Sequence, residues 1–204
     1  QCQPGTVYLD HYGTGFISAA DIDNGSSDAC GIASTSIDVS SFDCSMVGYN
    51  TVTLTVTDNN GNTATCSEIV TVMDTIAPDA FCQNITVQLD ANGNASITAA
   101  QIDNGSFDAC GIASTTIDVS SFDCSNVGAN TVTLTVTDNN GNVSTCTSTV
   151  TVEDNIAPTA NCSNLTFPLD ANGQRTITVN MINNGASDNC SIISSIIDIS
   201  SFNC

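Results

Sequence analysis

Residues 130–142 read Asn-Thr-Val-Thr-Leu-Thr-Val-Thr-Asp-Asn-Asn-Gly-Asn, and residues 50–62 repeat the same thirteen residues. Val132, Leu134 and Val136 alternate with threonines, which is the period-2 pattern of a strand with one buried face. The Asp-Asn-Asn-Gly-Asn that follows tolerates the positive φ of a tight turn, and another alternating run comes after it. The stretch therefore predicts a β-hairpin with an apolar inner face.

The cysteines fix the period of the chain. Four sets of equivalent cysteines recur every 80 residues without insertion or deletion: Cys2, Cys82 and Cys162; Cys30, Cys110 and Cys190; Cys44, Cys124 and Cys204; Cys66 and Cys146. A unit of this length is too long for a solenoid repeat, so each copy should be a small domain of its own. The predicted domains are repeat 1 at 1–80, repeat 2 at 81–160 and a partial repeat 3 at 161–204. Because repeat 3 stops before its hairpin, we expect the chain to be a segment of a longer protein.

Repeat 2 predicts an all-β domain. Ahead of the hairpin, alternating apolar residues indicate strands at 83–89, 95–99, 112–119 and 122–127, separated by turn-forming sequences. No stretch has convincing helical periodicity. Short strands with turn signals every 8–12 residues are typical of two antiparallel sheets packed as an immunoglobulin-like sandwich.

Cysteine usage indicates where the protein works. The chain has 11 cysteines, one histidine and no Cys-x-x-Cys pair, which favours disulfides over metal thiolates. Disulfides persist in oxidising surroundings, so we expect an extracellular or cell-surface location.

The charge balance excludes one class of partner. Twenty-one acidic residues against one basic residue give a net charge of −20, which would repel the phosphates of nucleic acid. No apolar run reaches the roughly 18 residues of a membrane helix, so this segment predicts no membrane span.

Several motifs of repeat 2 together resemble a known family. They are Cys-x-Asn-Ile-Thr-Val at 82–87, Asp-Ala-Cys-Gly at 108–111, the hairpin motif at 127–142 and Thr-Cys-x-x-x-Val-Thr-Val at 145–152. This order resembles the hyalin repeat (HYR), and more closely the HYR-like repeats strung in tandem in very large surface proteins of Bacteroidota-type bacteria. The resemblance covers all three copies and implies an immunoglobulin-like sandwich, extracellular placement and a structural or adhesive role. Cys124 stands where the hyalin repeat usually has no cysteine, so disulfide pairing is not carried over.

Strand topology instead predicts the pairing. The first and last strands of such a sandwich run parallel, which places Cys82 and Cys146 at the same end and predicts Cys82–Cys146 and Cys2–Cys66. The competing pair Cys66–Cys82 would have to span strand and linker against a Cα separation limit near 7 Å. The remaining cysteines then pair by elimination as Cys30–Cys44, Cys110–Cys124 and Cys190–Cys204. Cys162 is left without a partner.

Acidic loops predict a cation site at the start of repeat 2. Asp103 and Asp108 follow the second strand, Asp138 begins the hairpin turn and Asp74 lies in the incoming linker. In a sandwich of this order the four carboxylates gather at one end, where they could supply part of the six to eight oxygens that Ca²⁺ takes. Calcium at a domain junction would stiffen the string of repeats. The alternative is a solvated acidic surface that keeps a secreted protein soluble.

Candidate glycosylation sites are numerous. Asn-x-Ser/Thr occurs at Asn84, Asn94 and Asn104, among other positions, and Thr75 lies in an Asp-Thr-Ile motif that resembles the O-glycosylation motif of Bacteroidota. In a chain so rich in Asn, Ser and Thr, many sequons arise by chance. The outer threonines of the hairpin are best interpreted as solvent-facing strand residues.

Catalysis has little support in the sequence. His11 is the only histidine and is replaced by alanine in the other copies, so we expect a surface turn residue there and no enzyme activity. The leading prediction is a structural extracellular tandem-repeat protein that self-associates into a rod or filament. The alternative is the spacer stalk of an adhesin whose binding domain, for glycan or another cell, lies elsewhere.

Overall fold

The computed structural model describes residues 1–204, and the 80-residue period is visible in the order of its elements. Repeat 1 contains β1 Gly5–Tyr8, β2 Thr14–Phe16, α1 Ala19–Ile22, β3 Ile32–Ile37, β4 Ser41–Asp43, β5 Gly48–Asp58 and β6 Thr63–Met73. Repeat 2 contains β7 Ile85–Gln88, β8 Asn94–Ser96, α2 Ala99–Ile102, β9 Ile112–Ile117, β10 Ser121–Asp123, β11 Gly128–Asp138 and β12 Val143–Glu153. Repeat 3 contains β13 Gln174–Thr176, α3 Val179–Ile182 and β14 Ser201–Asn203.

Each full repeat has a larger and a smaller sheet. The larger sheet has the order β1-β6-β5-β3 in repeat 1 and β7-β12-β11-β9 in repeat 2, and the smaller sheets pair β2 with β4 and β8 with β10. The first strand runs parallel to the last, and every other pair is antiparallel. The predicted all-β, immunoglobulin-like class is therefore confirmed.

The hairpin forms the centre of each larger sheet. β11 pairs with β12 from Gly128↔Val152 to Thr137↔Val143, and the turn between them is held by the Asp138 carboxylate. Asp138 Oδ1 accepts the backbone N–H groups of Asn140 and Asn142, each at 2.8 Å. The predicted alternation is confirmed, because the inward side chains of both strands are buried: Val132, Leu134, Val136, Val150 and Val152.

Two separate cores of nine buried residues lie in repeats 1 and 2. In repeat 2 the hairpin side chains pack against Phe122 from the smaller sheet and against Ile102 from α2. Ile102 is fully buried. The single-turn helix was missed because four residues are too few to show helical periodicity. A capping box is its only sequence signal, since Gln101 Oε1 accepts the backbone N–H of Thr98 at 2.8 Å.

Repeat 3 covers only the first part of the period. Residues 161–204 contain no equivalent of the two hairpin strands. The repeat 3 residues that correspond to side chains covered by the hairpin in repeat 2 are partly exposed. Leu165, Leu169 and Phe202 have 51%, 43% and 45% of their surface exposed. Arg175 lies over the ring of Phe167, with 4.9 Å from its guanidinium carbon to the ring centroid.

The three α-helices have four residues each, so none has the length and apolar character of a membrane-spanning helix.

Candidate functional site

Two disulfides close the full repeats individually. Cys2 bonds to Cys66 and Cys82 to Cys146, with Cα separations of 6.0 and 5.8 Å. These are the two pairs that the parallel first and last strands predict. Each bond fastens the segment ahead of the first strand to the last strand of the same repeat.

Two further disulfides join neighbouring repeats. Cys44 bonds to Cys110 across the junction of repeats 1 and 2, and Cys124 bonds to Cys190 across the next junction. The predicted pairs within single repeats, Cys30–Cys44, Cys110–Cys124 and Cys190–Cys204, are wrong. The exposed thiols of Cys30, Cys162 and Cys204 are free.

Strand direction explains this correction. Cys110 lies just ahead of β9, whose Ile112 pairs with Asp138 at the hairpin-turn end, and the six residues of β9 carry the chain about 20 Å along the repeat. β10 then leads on toward the turn between β7 and β8, because its Asp123, next to Cys124, pairs with Asn94. The two cysteines of one repeat therefore lie toward opposite ends, beyond the 4.4–6.8 Å Cα separation that a disulfide requires. Each of them faces a neighbouring repeat instead.

A glycine makes room for each junction disulfide. Cys44 Sγ lies 3.8 Å from the carbonyl oxygen of Gly13, in the turn between β1 and β2, and Cys124 Sγ lies 3.8 Å from that of Gly93. A Cβ atom on either glycine would approach the sulfur to 2.6 or 2.7 Å, and both glycines have a positive φ. The turn between the first two strands thus forms the surface on which the next repeat sits.

The linker also docks onto the next repeat through its backbone. Asp79 and Phe107 exchange two backbone hydrogen bonds of 2.8 and 3.0 Å, and Thr159 and Ser187 repeat this exchange at the second junction. His11, exposed as expected for a surface turn, places Nε2 3.7 Å from the Asp79 carboxylate.

Three buried carboxylates meet at the first junction. Asp74 from the linker, Asp108 ahead of β9 and Asp138 from the hairpin turn have 8%, 8% and 1% of their surface exposed. Carboxylate oxygens of Asp74 and Asp108 lie within 4.8 Å of each other. Asn142 links two of these residues, because its side-chain amide lies 2.8 Å from Asp138 Oδ2 and 3.3 Å from the Asp74 carbonyl oxygen. We call Asp74, Asp108 and Asp138 the junction carboxylates.

Asp103 lies outside this cluster, although the sequence places it with the other three. Its Oδ1 accepts hydrogen bonds from the backbone N and the Oγ of Ser106, at 2.9 and 2.6 Å. This carboxylate therefore closes its own loop.

One oxygen of the cluster is buried without a partner. Asp74 Oδ1 accepts the Ile76 N–H at 3.1 Å, but Asp74 Oδ2 is buried and has no hydrogen-bond partner. Burial raises the pKa of Asp74, and the negative charges of Asp108 and Asp138 raise it further against the opposing hydrogen bond from Ile76. A buried carboxylate normally has a partner, so the geometry has room for a proton or a cation at this oxygen.

The donor set fits a hard cation. All three side chains offer carboxylate oxygens, which suit Ca²⁺, and each is held in place by at least one backbone N–H group. Cys110 lies within the same 4.8 Å group, but its sulfur is bonded to Cys44 and offers no thiolate. A soft-metal site is therefore not formed.

The second junction has an amide side chain where the first has the methyl group of Ala109. Asp154 and Asp188 correspond to Asp74 and Asp108, and Asn189 replaces Ala109. The side-chain amide of Asn189 donates to Asp154 Oδ1 at 3.0 Å. A neutral donor thus adds a hydrogen bond to Asp154 Oδ1, which also accepts the Ile156 N–H at 3.2 Å.

Repeat 1 has the counterpart of this surface. Asp28 and Asp58 are the counterparts of Asp108 and Asp138, and they line an open cavity of about 270 Å³ together with Gln1, Ile32 and Asn62. Asp28 is exposed here, whereas Asp108 is buried beneath the linker.

The candidate glycosylation residues Thr75, Asn84, Asn94 and Asn104 all lie on the surface. Asn84 Oδ1 also accepts the N–H of Thr149 at 2.8 Å, which ties its side chain to β12.

No protein-family model matches the chain. No curated protein sequence matches it either. Solved structures similar to it include human mucin-like protocadherin EC1-2, with 12% identity, coverage of 76% of this chain and 97% of that one, and a TM-score of 0.34. Protocadherin gamma B7 domains 1–4 give 12% identity, coverage of 92% and 58%, and a TM-score of 0.36. The fibronectin(III)-like modules of Clostridium thermocellum CbhA give 11% identity, coverage of 75% and 91%, and a TM-score of 0.28.

These similarities are too low to carry a functional conclusion, and the resemblance to the hyalin repeat finds no support in a family model.

Proposed function

We propose that the chain is a load-bearing segment of an extracellular or cell-surface tandem-repeat protein, in which immunoglobulin-like repeats form a disulfide-stapled rod. One observation carries this proposal: the four disulfides overlap along the sequence. The closed segments 2–66, 44–110, 82–146 and 124–190 each share residues with the next. A continuous covalent network therefore crosses both junctions, and no repeat can be pulled from its neighbour without breaking a covalent bond.

The magnitude of each crosslink supports a mechanical role. Closing a loop of about 65 residues removes enough entropy from the unfolded chain to stabilise the fold by about 4 kcal/mol in the chain-entropy model. Repeats of this size have modest cores, so such bonds form a large share of their stability. The same bonds support an oxidising, extracellular location.

Calcium at the junction carboxylates would add stiffness to the rod. Asp74, Asp108 and Asp138 would hold the ion, whose two positive charges would offset most of the three negative charges that otherwise repel one another across linker, loop and hairpin turn. Because Asp74 belongs to the linker and the other two to repeat 2, the ion would fasten the linker to the repeat. The buried, unpartnered Asp74 Oδ2 is the observation that favours this site.

Thermal unfolding with calcium or with chelator tests the ion. At a free concentration one hundred times the Kd, calcium should stabilise by about 2.7 kcal/mol, which corresponds to roughly 10–20 °C in the Tm of a domain of this size. Asp74→Asn should abolish this gain, and it should raise the Tm in chelator because it removes a buried charge. Asp28→Asn is the matched control, since this exposed counterpart of Asp108 has no linker over it. An unchanged wild-type Tm in calcium and chelator at neutral pH would remove the calcium site.

Self-association distinguishes a filament subunit from an adhesin stalk. A filament subunit makes repeated contacts with copies of itself, whereas a stalk remains a single thread. Electron microscopy of the oxidised chain at increasing concentration should show end-to-end assemblies, and isolated rods at every concentration would favour the stalk. The exposed Thr75 and asparagine sequons leave glycan attachment compatible with either role. We assign no catalytic step to the segment.

A further inference from the structure

We propose that the outer face of the larger sheet in repeat 1 binds a second copy of the chain, so that two rods associate side by side. The inference rests on the proposed function, because it names the surface through which the rod meets a copy of itself. Four outward positions of this sheet carry exposed apolar side chains in repeat 1: Tyr8, Tyr49, Ile69 and Met73. Their counterparts in repeat 2 are Gln88, Ala129, Thr149 and Glu153. We call the four residues of repeat 1 the apolar patch.

Strand register makes the apolar patch continuous. β6 lies between β1 and β5, and Ile69 and Met73 are two of its outward side chains. Tyr8 on β1 pairs with Met73. Tyr49 on β5 pairs with Thr71, which lies on the same face as its neighbours two residues away on either side. Side chains that oppose each other on neighbouring strands are about 5 Å apart, so the four residues form one surface.

The chain leaves the apolar patch open to solvent. Tyr8 and Tyr49 have 61% and 83% of their surface exposed, and the other two members have 41% and 40%. The fold does not require apolar residues here, because repeat 2 builds the same sheet with Gln88, whose amide donates to the Glu153 carboxylate at 2.7 Å. Contiguous exposed apolar surface marks interaction sites, and tyrosine and methionine are enriched in protein interfaces. The apolar patch therefore has the composition of an interface.

The surroundings of the patch indicate which partner fits. The other outward side chains of β5 and β6 are all threonine or serine, and Asp38, just after β3, is tied to the backbone because it accepts the Thr53 N–H at 2.8 Å. With a net charge of −20, two copies repel each other where acidic side chains meet. On this face they meet without opposing carboxylates, and the same patch on both copies gives a self-complementary, twofold contact. A basic partner, by contrast, finds no outward carboxylate on β5 or β6 to pair with.

The size of the face fits a reversible contact. β5 and β6 have 11 residues each and are about 36 Å long, and with the shorter β1 and β3 they give a footprint of roughly 500 Å² per copy. Two copies together bury about 1,000 Å², which is the lower limit of a specific interface. We therefore expect a dimer that dissociates on dilution.

Sedimentation velocity of the full chain over a range of concentrations tests the contact. Cys30, Cys162 and Cys204 are changed to serine, which excludes covalent dimers. The chain should show a reversible monomer–dimer equilibrium that strengthens as salt is added, because salt screens the repulsion between two acidic copies. A monomer at every concentration, or a dimer that salt weakens, would overturn the proposal.

Exchanging the patch for its repeat 2 counterparts gives a variant that should fold, because repeat 2 folds with those residues. The four changes are Tyr8→Gln, Tyr49→Ala, Ile69→Thr and Met73→Glu. Together they should raise the dissociation constant of the dimer at least tenfold. Phe16→Ser is the matched control, since it also replaces an exposed aromatic residue by its repeat 2 counterpart, but on the smaller sheet, and it should leave the dimer unchanged. Equal dissociation constants for the two variants would contradict the assignment of the contact to this face.

The methionines locate the contact within the dimer. Met73 and Met181 both have 40% of their surface exposed, but Met181 lies in α3 of repeat 3. In a chain labelled at its methionine methyl groups, the NMR signal of Met73 should shift with protein concentration and that of Met181 should not. Equal shifts of the two signals would mean non-specific association and overturn the proposal. A chain that stays monomeric and is retained on cellulose would overturn it in favour of a neutral polysaccharide.

Disulfide mapping separates this inference from the proposed function. If Cys44–Cys110 and Cys124–Cys190 are present and the dimer is absent, only the side-by-side contact fails. If those two bonds are missing and the dimer forms, the stapled rod fails and the contact stands, because every residue of the face lies within repeat 1.

Discussion

The overlapping disulfides should limit how far the chain extends under force. When the oxidised chain is pulled from its ends and every repeat unfolds, the shortest covalent path crosses three disulfides. Backbone then contributes only over residues 1–2, 44–66, 110–124 and 190–204. This is about 50 residues, which at about 3.5 Å per residue gives a contour length of about 18 nm. The fully reduced chain should extend to about 70 nm.

Removing the two junction bonds isolates their contribution. In a variant with Cys44, Cys110, Cys124 and Cys190 all changed to serine, the path follows residues 1–2, 66–82 and 146–204. This is about 75 residues and about 26 nm, a gain of about 8 nm over the wild-type chain. The matched control changes Cys30, Cys162 and Cys204 to serine, which leaves every disulfide in place and should keep the contour length at about 18 nm.

Single-molecule force spectroscopy measures these lengths directly, with handles attached at the two termini. Pairing within single repeats, as Cys30–Cys44 and its equivalents, would give a path of about 60 residues and about 21 nm in the wild-type chain. The junction pairing is refuted if the wild-type contour length matches that value, or if the four-serine variant extends no further than wild type.

Four other changes probe the core and the junctions. Gly93→Ala places a Cβ 2.7 Å from Cys124 Sγ and 2.8 Å from the Asn189 carbonyl oxygen, so the Cys124–Cys190 disulfide should not form and thiol titration should find two extra free thiols per chain. The control Gly105→Ala, whose Cβ meets nothing within 4 Å, should add no free thiol. Leu134→Ala empties a fully buried position and should lower the free energy of unfolding of repeat 2 by roughly 2–5 kcal/mol in chemical denaturation. A hydrogen bond from the backbone N–H of Thr133 in β11 lowers the pKa of Asp118 in the folded state. The stability that this carboxylate contributes is therefore present above its unfolded-state pKa and is lost as the pH falls through its folded-state pKa. Asp118→Asn should lower the Tm at pH 7 and leave the Tm unchanged near pH 2. Ala109→Asn copies the amide of the second junction and should reduce the calcium-dependent rise in Tm.

The strands were predictable because their pattern is local. Val132 and Leu134 alternate with threonines over a run long enough to give one buried face. A shift of the strand pairing by one residue would turn all the apolar side chains to solvent, so the sequence pattern also specifies the register. The single turn of α2 was not predictable from periodicity, since only its capping residues Thr98 and Gln101 mark it.

The disulfide pairing was half predictable for a physical reason. Cys82–Cys146 follows from strand topology inside one repeat, whereas pairing the remaining cysteines by elimination assumes that each repeat is chemically closed. The structure removes that assumption, because Cys44 lies on the surface that meets the next repeat. A strand of six residues between Cys110 and Cys124 is the sequence signal that argues against their pairing, since it separates their ends by about 20 Å.

The cation site was predicted from the position of its loops but not from the orientation of its side chains. Asp108 places a carboxylate oxygen within 4.8 Å of Asp74, and Asp138 is joined to Asp74 through the side-chain amide of Asn142. Asp103, in the same loop region as Asp108, turns back to Ser106. Topology brings loops to one end of a sandwich, but local hydrogen bonds decide which carboxylates remain available there. Only side-chain geometry separates the two outcomes.

The linker aspartates of the two junctions have different surroundings. Asp74 is buried beside Asp108 at the first junction, whereas its counterpart Asp154 is half-buried at the second. At the second junction the amide of Asn189 donates to Asp154 Oδ1, which also accepts the Ile156 N–H. At the first junction the equivalent Ala109 has nothing to donate, and Asp74 Oδ2 stays unpartnered. The proposed calcium site therefore predicts that the two junctions differ in their response to calcium through the exchange of Ala109 for Asn189, while the disulfide beside each junction keeps both covalently closed.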